Sequence, residues 1–269
     1  MIELFEQNTR TLARQSSKGN QLKWENGGIW YKADYTGYEG LAEYMVSQLL
    51  KESSLKKAEF VLYEPEQIKY KRQIYRGVRS ASFLKEDWQI ITLERLFQNA
   101  YGESLNRILW RMGAAEDRLK FLVEQVERIT GLRNFGIYMN QLFTIDALFL
   151  NEDRHTHNMA VLMDGEGRFS LCPVFDNGGA LLSDMSMDYP MSEDPVVLMR
   201  EVKAKTISTD FDEQLDVSER LYGRNLRFHF TKKQGAELLE KAVGYEEEIR
   251  NRVASILYLQ MDKYRYLWK

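Results

Sequence analysis

The chain has one cysteine, Cys172, in 269 residues, so it has no internal disulfide and suits a reducing compartment such as the cytoplasm. It has only four prolines and no low-complexity linker or repeat, so composition does not split it into tethered modules. Nowhere do about 18 apolar residues run together, and the opening MIELFEQNTRTLARQSSKG lacks the apolar centre of a signal peptide. No membrane association is therefore expected. Neither sign of charge dominates: 37 Lys and Arg face 40 Asp and Glu, a net charge of −3, which argues against general affinity for nucleic acid. What is present is ordinary for a folded enzyme, with 44% hydrophobic and 29% charged residues. The length allows one large domain or two lobes sharing a cleft.

The pattern changes character near residue 86. Gln21 to Tyr35 (QLKWENGGIWYKADY) reads as a hairpin, with alternating aromatic runs around Glu25-Asn26-Gly27-Gly28 and Asn26-Gly27 as the type I′ turn signal. EGLAEYMVSQLLKES, residues 39–53, has helical spacing and good helix formers. EFVLYE (59–64) and RGVRSASFL (76–84) read as strands. Beyond them, Thr92 caps a helix that Gly102 stops, and EDRLKFLVEQVERITG is an amphipathic helix. FGIYMNQLFTIDALFL is nearly free of charge, as a central buried helix would be. Thr231 to Trp268 reads as two helices broken near Gly244. The expected class is α+β: a small β-rich lobe over residues 1–85 and a mainly helical lobe over 86–269.

The chemistry is concentrated between the central helix and the last two. LNEDRHTHN is polar, and MAVLM and RFSLCPVF after it pair as a hairpin through Asp164-Gly165-Glu166-Gly167. Asp153 and Asn158 stand five residues apart on the polar loop, and the hairpin leads to Asp176-Asn177-Gly178. Phosphoryl transfer asks for a carboxylate to orient a hydroxyl and take its proton. It also asks for a carboxylate and an amide oxygen to hold magnesium against nucleotide phosphates. Each element alone is more often a plain turn; the ordered set with its connecting hairpin favours the site.

A phosphate-gripping lysine is expected on the other lobe. Lys32, in IWYKADY, fits that role, with Glu43 or Glu39 one helical turn apart as its carboxylate partner. Ser16-Ser17-Lys18-Gly19-Asn20-Gln21 occupies the place of a phosphate-covering loop, with Ser17, Lys18, Gly19 and Asn20 as its contacts. Adenine is expected near Ala81 to Lys85, against the backbone of Ser82, Phe83 and Leu84. Trp24, Trp30, Tyr31 and Tyr35 are better read as hairpin packing than as an adenine roof.

NEDRHTHN resembles the Asn-x-Asp-Arg-His-x-x-Asn signature of HipA-like serine/threonine kinases, and PVFDNGG resembles their second metal-binding motif. EYMVSQLLKES is similar to their small-lobe helix and WYKADY to their lysine strand. The likeness runs over nearly the whole chain but is specific only at 151–158 and 173–178. It implies a bilobal protein-kinase-like fold, ATP and Mg2+ as cofactors, and transfer of the γ-phosphate to a protein serine or threonine. By position it makes Asp153 the base, Asn158 and Asp176 the magnesium ligands, Lys32 the phosphate-pairing lysine and His155 a brace for the loop. The chain is similar to compact forms without the extra N-terminal subdomain of the long toxins. Ser16 and Ser17 are the candidates for autophosphorylation, and an antitoxin-like or regulatory partner is a further implication.

Three other readings compete. Asp153, His155 and His157 are of a type to bind zinc or iron, although their alternation suits a strand better than a loop. A nucleotide-binding pseudokinase would keep the fold without transfer. A lipid or small-molecule kinase is the third, with no basic amphipathic helix to favour it. Ser183 to Asp216 is polar and aperiodic, which suits either a substrate-facing segment or a surface loop.

Overall fold

The computed structural model describes residues 1–9, 21–242 and 244–269. The expected phosphate-loop residues Ser16, Ser17, Lys18, Gly19 and Asn20 lie outside them. The chain forms two compact units that are not consecutive in sequence: unit 1 is 1–83, 175–202 and 228–269, and unit 2 is 84–174 and 203–227. The change in pattern near residue 86 marks one of several crossings between them.

Unit 1 carries a five-stranded sheet in the order β1-β4-β5-β3-β2. Its strands are β1 (Ile2–Leu4), β2 (Lys23–Asn26), β3 (Ile29–Ala33), β4 (Glu64–Tyr70) and β5 (Gln73–Ala81). Gly27 and Gly28 turn β2 into β3 with φ of 60° and 78°. The turn thus centres on the two glycines, the residues that reach positive φ without strain, rather than on Asn26-Gly27. Helix α1 (Glu39–Leu50) packs on β3, β4 and β5. Its Leu41, Met45 and Leu49 are fully buried, each worth roughly 1.5–3 kcal/mol in area removed from water.

The strand expected over 59–64 is replaced by β4, which begins at Glu64. Lys57–Glu59 form a 3-10 turn, closed by Glu59 accepting the Lys56 N–H at 2.6 Å. Tyr63 donates its N–H to Ser47 Oγ, and its carbonyl accepts from Gln48 Nε2, so α1 takes the groups a sheet ladder would have used. Strand β1 pairs in parallel with β4 and was not foreseen, being only three residues long.

Trp24 is fully buried against Tyr70 and Tyr75, with ring centroids 5.2 and 6.5 Å away, as the packing reading requires. The other α-helices of unit 1 are α6 (Pro195–Glu201), α8 (Lys232–Lys241) and α9 (Glu247–Lys263). The last two flank Gly244 as expected.

Unit 2 has a three-stranded antiparallel sheet, β6 (Gln89–Thr92), β7 (Ala160–Met163) and β8 (Phe169–Leu171), in the order β6-β7-β8. The expected hairpin is β7–β8; β6 adds a third strand. The helices are α2 (Leu93–Tyr101), α3 (Leu105–Arg111), α4 (Ala115–Thr130), α5 (Phe135–Phe149) and α7 (Phe211–Tyr222). Thr92 Oγ1 accepts the Arg95 N–H at the start of α2, and Gly102 ends it at φ 71°. Helix α5 is the buried centre, packed against α4 and α7. The segment 183–216 is not one loop: α6 lies within it and α7 starts at Phe211, where Asp210 caps the N–H groups of Asp212 and Glu213. Among the described residues no helix is long and apolar enough to cross a membrane.

Candidate functional site

In unit 1, β3 alternates its side chains, and Lys32 is the charged residue turned toward α1. Lys32 Nζ lies 2.5 Å from Glu43 Oε1, 2.7 Å from Asp176 Oδ1 and 3.3 Å from the Tyr63 hydroxyl. Glu43 is 1% exposed, and its second oxygen accepts the Asn177 N–H at 2.8 Å. That bond ties the Asp176-Asn177-Gly178 turn to α1. Glu43 is therefore the partner of Lys32, and Glu39 is not. Glu39 instead accepts the N–H groups of Tyr35, Thr36 and Gly37 and the Thr36 hydroxyl, closing the first turn of α1.

Burial alone would discharge Lys32, but Asp176 and Glu43 outweigh it and hold the ammonium well above its ordinary range. Burial pushes Glu43 up, Lys32 opposes, and the neighbouring Asp176 adds to the rise. Two carboxylates thus share the Lys32 ammonium. Asp176 sits at φ 59°, a left-handed conformation unusual for a residue with a side chain. Gly77 shows how tightly β3 is held: a Cβ there would lie 2.0 Å from the Lys32 carbonyl oxygen.

Two residues beyond Lys32, Asp34 accepts the Gly40 N–H at 2.6 Å and so helps fix the start of α1. Burial, and then Glu39, push its carboxyl up to about 7, against Gly40, Tyr245 and Arg76. A carboxylate with a raised folded-state pKa contributes stability that is complete below its ordinary value and lost as pH rises through the folded value. Asp34→Asn keeps the oxygen that accepts from Gly40 and cannot ionise. Its stability relative to wild type is expected to increase between pH 5 and pH 8, by about 2–3 kcal/mol for a shift of this size. Denaturant unfolding at the two pH values measures it; a constant difference would refute the assignment.

In unit 2, α5 ends at Leu150 with φ 54°, a left-handed cap usually filled by glycine. The polar loop starts there. Asn158 Nδ2 donates to the Asp153 carbonyl and to Asp153 Oδ2, both at 2.9 Å, a register that needs the five-residue spacing. His155 Nε2 lies 3.5 Å from Asp153 Oδ1, and His155 Nδ1 accepts the His157 N–H. Burial lowers the His155 pKa against the pull of Asp153, so the ring is held neutral. His155 and His157 engage each other, and among the described residues no three His, Cys, Asp or Glu side chains converge as a metal group.

Arg154 and Asp146 were not foreseen as supports. Arg154 Nε reaches both Asp146 oxygens at 3.2 Å, with the two side chains 2% and 0% exposed, and Asn151 Nδ2 donates to the same carboxylate. Burial pushes Asp146 up to about 6, and Arg154 and Asn151 oppose it. Asp146, the one carboxylate in an otherwise uncharged helix, was the available signal. Arg154 Nη1 also donates to the Asn158 carbonyl, and Thr206 Oγ1 donates to the Arg154 carbonyl. Glu94 accepts from Thr156 Oγ1 at 2.8 Å, securing the far side of the loop.

The expected base-binding stretch is an extended, half-buried segment after β5. The Ser82 N–H donates to the Gly28 carbonyl at 2.7 Å. The Phe83 ring packs 6.0 Å from that of Phe175.

No protein-family model matches the chain, and no curated protein matches it. Among solved structures it is similar to the Helicobacter pylori proinflammatory kinase CtkA, with TM-score 0.59 and 14% identity over 97% of this chain and 94% of that one. HipA, from a Shewanella oneidensis toxin–antitoxin complex with HipB and operator DNA, aligns with TM-score 0.43 and 13% identity, over 94% of this chain and 66% of that one. At such identity the first likeness is one of fold: the chain has an α+β, protein-kinase-like fold shared with CtkA.

Proposed function

We propose that the protein is an ATP- and Mg2+-dependent kinase of the HipA-like kind, transferring the γ-phosphate to a hydroxyl, with protein serine or threonine as the acceptor class. The observation that carries this reading is the buried Lys32, held by Glu43 and Asp176. An ammonium fixed by two carboxylates, one of which is also a hard-oxygen ligand, is what nucleotide phosphates with magnesium require. Lys32 would pair with the phosphates while Glu43 keeps it oriented, and Glu43 in turn is fixed by the Asn177 N–H.

Each of the Asp176 and Asn158 side chains, taken by itself, offers oxygen of the kind magnesium prefers. The Asp176 side chain is 21% exposed and offers carboxylate oxygens. Asn158 spends its amide nitrogen on Asp153, which turns its oxygen to other use. Magnesium, when bound, neutralises phosphate charge and orients the leaving group. Asp153, steadied by Asn158 and His155, would align the acceptor hydroxyl and take its proton. Of the expected base contacts, Phe83 and Leu84 would present the backbone to adenine.

The test is incubation with γ-labelled ATP and Mg2+, alone and with candidate protein acceptors, followed by mass spectrometry for phosphosites. Label on serine or threonine supports the reading, and phosphosites on the chain itself would establish autophosphorylation. Nucleotide binding without incorporation into any acceptor would make the protein a pseudokinase; no nucleotide binding would refute the reading altogether.

A further inference from the structure

Two of the cations described above are already matched by carboxylates: Lys32 by Glu43 and Asp176, and Arg154 by Asp146. Arg154 follows Asp153 directly, yet at 2% exposure its charge is spent on the loop's foundations. Phosphoryl transfer spreads negative charge over the oxygens of the moving group, and a preorganised cation beside them is a large part of catalysis.

Lys205 lies beside the loop that carries Asp153. Its Nζ is 3.5 Å from Glu152 Oε2, well beyond the roughly 2.7–2.9 Å of a firm ammonium–carboxylate bond. Its side chain is 42% exposed. The backbone beneath it is fixed. Thr206, fully buried, donates its hydroxyl to the Arg154 carbonyl, between Asp153 and His155. Gln214 of α7 accepts the N–H groups of Thr206, Ile207 and Ser208 through one oxygen, and the Ala204 N–H bonds to the Thr209 carbonyl. A loop so tied to the Asp153 loop presents Lys205 as a loosely paired cation.

We propose that Lys205 is a further catalytic residue, whose ammonium contacts the transferring γ-phosphoryl group; this rests on the kinase reading. As the acceptor oxygen bonds to the γ-phosphorus, the bond to the β–γ bridging oxygen breaks. Its electron pair leaves with ADP, and the hydroxyl proton passes to Asp153. Lys205 offsets the charge gathering on the γ-oxygens during that exchange.

The experiment compares wild type, Lys205→Ala and Lys205→Arg for transfer from MgATP, for binding of MgADP and of the Mg complex of the non-hydrolysable analogue AMPPNP, and for melting temperature. Lys205→Ala is expected to transfer about a hundredfold more slowly, with Lys205→Arg recovering part of the rate. MgADP binding and melting temperature should hold, while the preference for the γ-phosphate-bearing analogue is lost. An unchanged rate and an unchanged preference in Lys205→Ala overturn the role while leaving the kinase reading intact. A slower Lys205→Ala that also loses MgADP binding and melts lower makes Lys205 a prop for Glu152 and overturns it too. A wild type that binds neither nucleotide overturns both.

Discussion

Asp153→Asn is expected to slow phosphoryl transfer by about a hundred- to ten-thousandfold, the usual worth of a positioned general base. Nucleotide affinity and melting temperature should barely change. The reasoning is geometric. Asn158 donates to Asp153 through the backbone carbonyl and through Oδ2, and an asparagine at 153 keeps an oxygen able to accept the second bond. The loop also hangs on the Arg154–Asp146 pair and on the Thr206 hydroxyl. What the amide loses is the capacity to take a proton. Initial rates at saturating ATP, with calorimetric binding and a thermal melt on the same samples, separate these quantities. Transfer at the wild-type rate would remove Asp153 from the mechanism.

Lys32→Ala should have the largest effect on the folded state itself. Removing one partner of a buried ionic group typically costs about 3–5 kcal/mol, because the charge left behind is uncompensated. Here Glu43 is left 1% exposed beside Asp176. Its carboxyl, already pushed up by burial, loses the one group that lowered it most. With a folded-state pKa above the ordinary carboxylate range, stability is complete at low pH and lost as pH rises through the folded value. The variant should therefore lose more stability at pH 8 than at pH 6. Adding Glu43→Gln to Lys32→Ala should restore roughly 1–3 kcal/mol, the coupling expected of residues in direct contact. Denaturant unfolding of the four members of this cycle at both pH values gives the number. Strictly additive losses would mean that the pair is not an energetic unit.

The sequence determined by itself those features that depend on local chemistry. Thr92 and Gly102 bound α2 because a hydroxyl cap and a left-handed glycine act within one turn. The charge-poor run became buried α5, and the five-residue spacing became the Asn158–Asp153 bonds. The tertiary structure decided what depends on distant groups. Glu39 and Glu43 share a helix face and a residue type, and only the approach of Thr36 to one and of Asn177 to the other tells them apart. EFVLYE has the composition of a strand, but Ser47 and Gln48 of α1 claim the backbone of Tyr63 and move the strand onward. Arg154 looks like a surface charge in NEDRHTHN, and it is buried because Asp146, eight residues earlier, waits for it inside α5. Local propensity sees one turn of chain; a partner brought in by the fold lies beyond it.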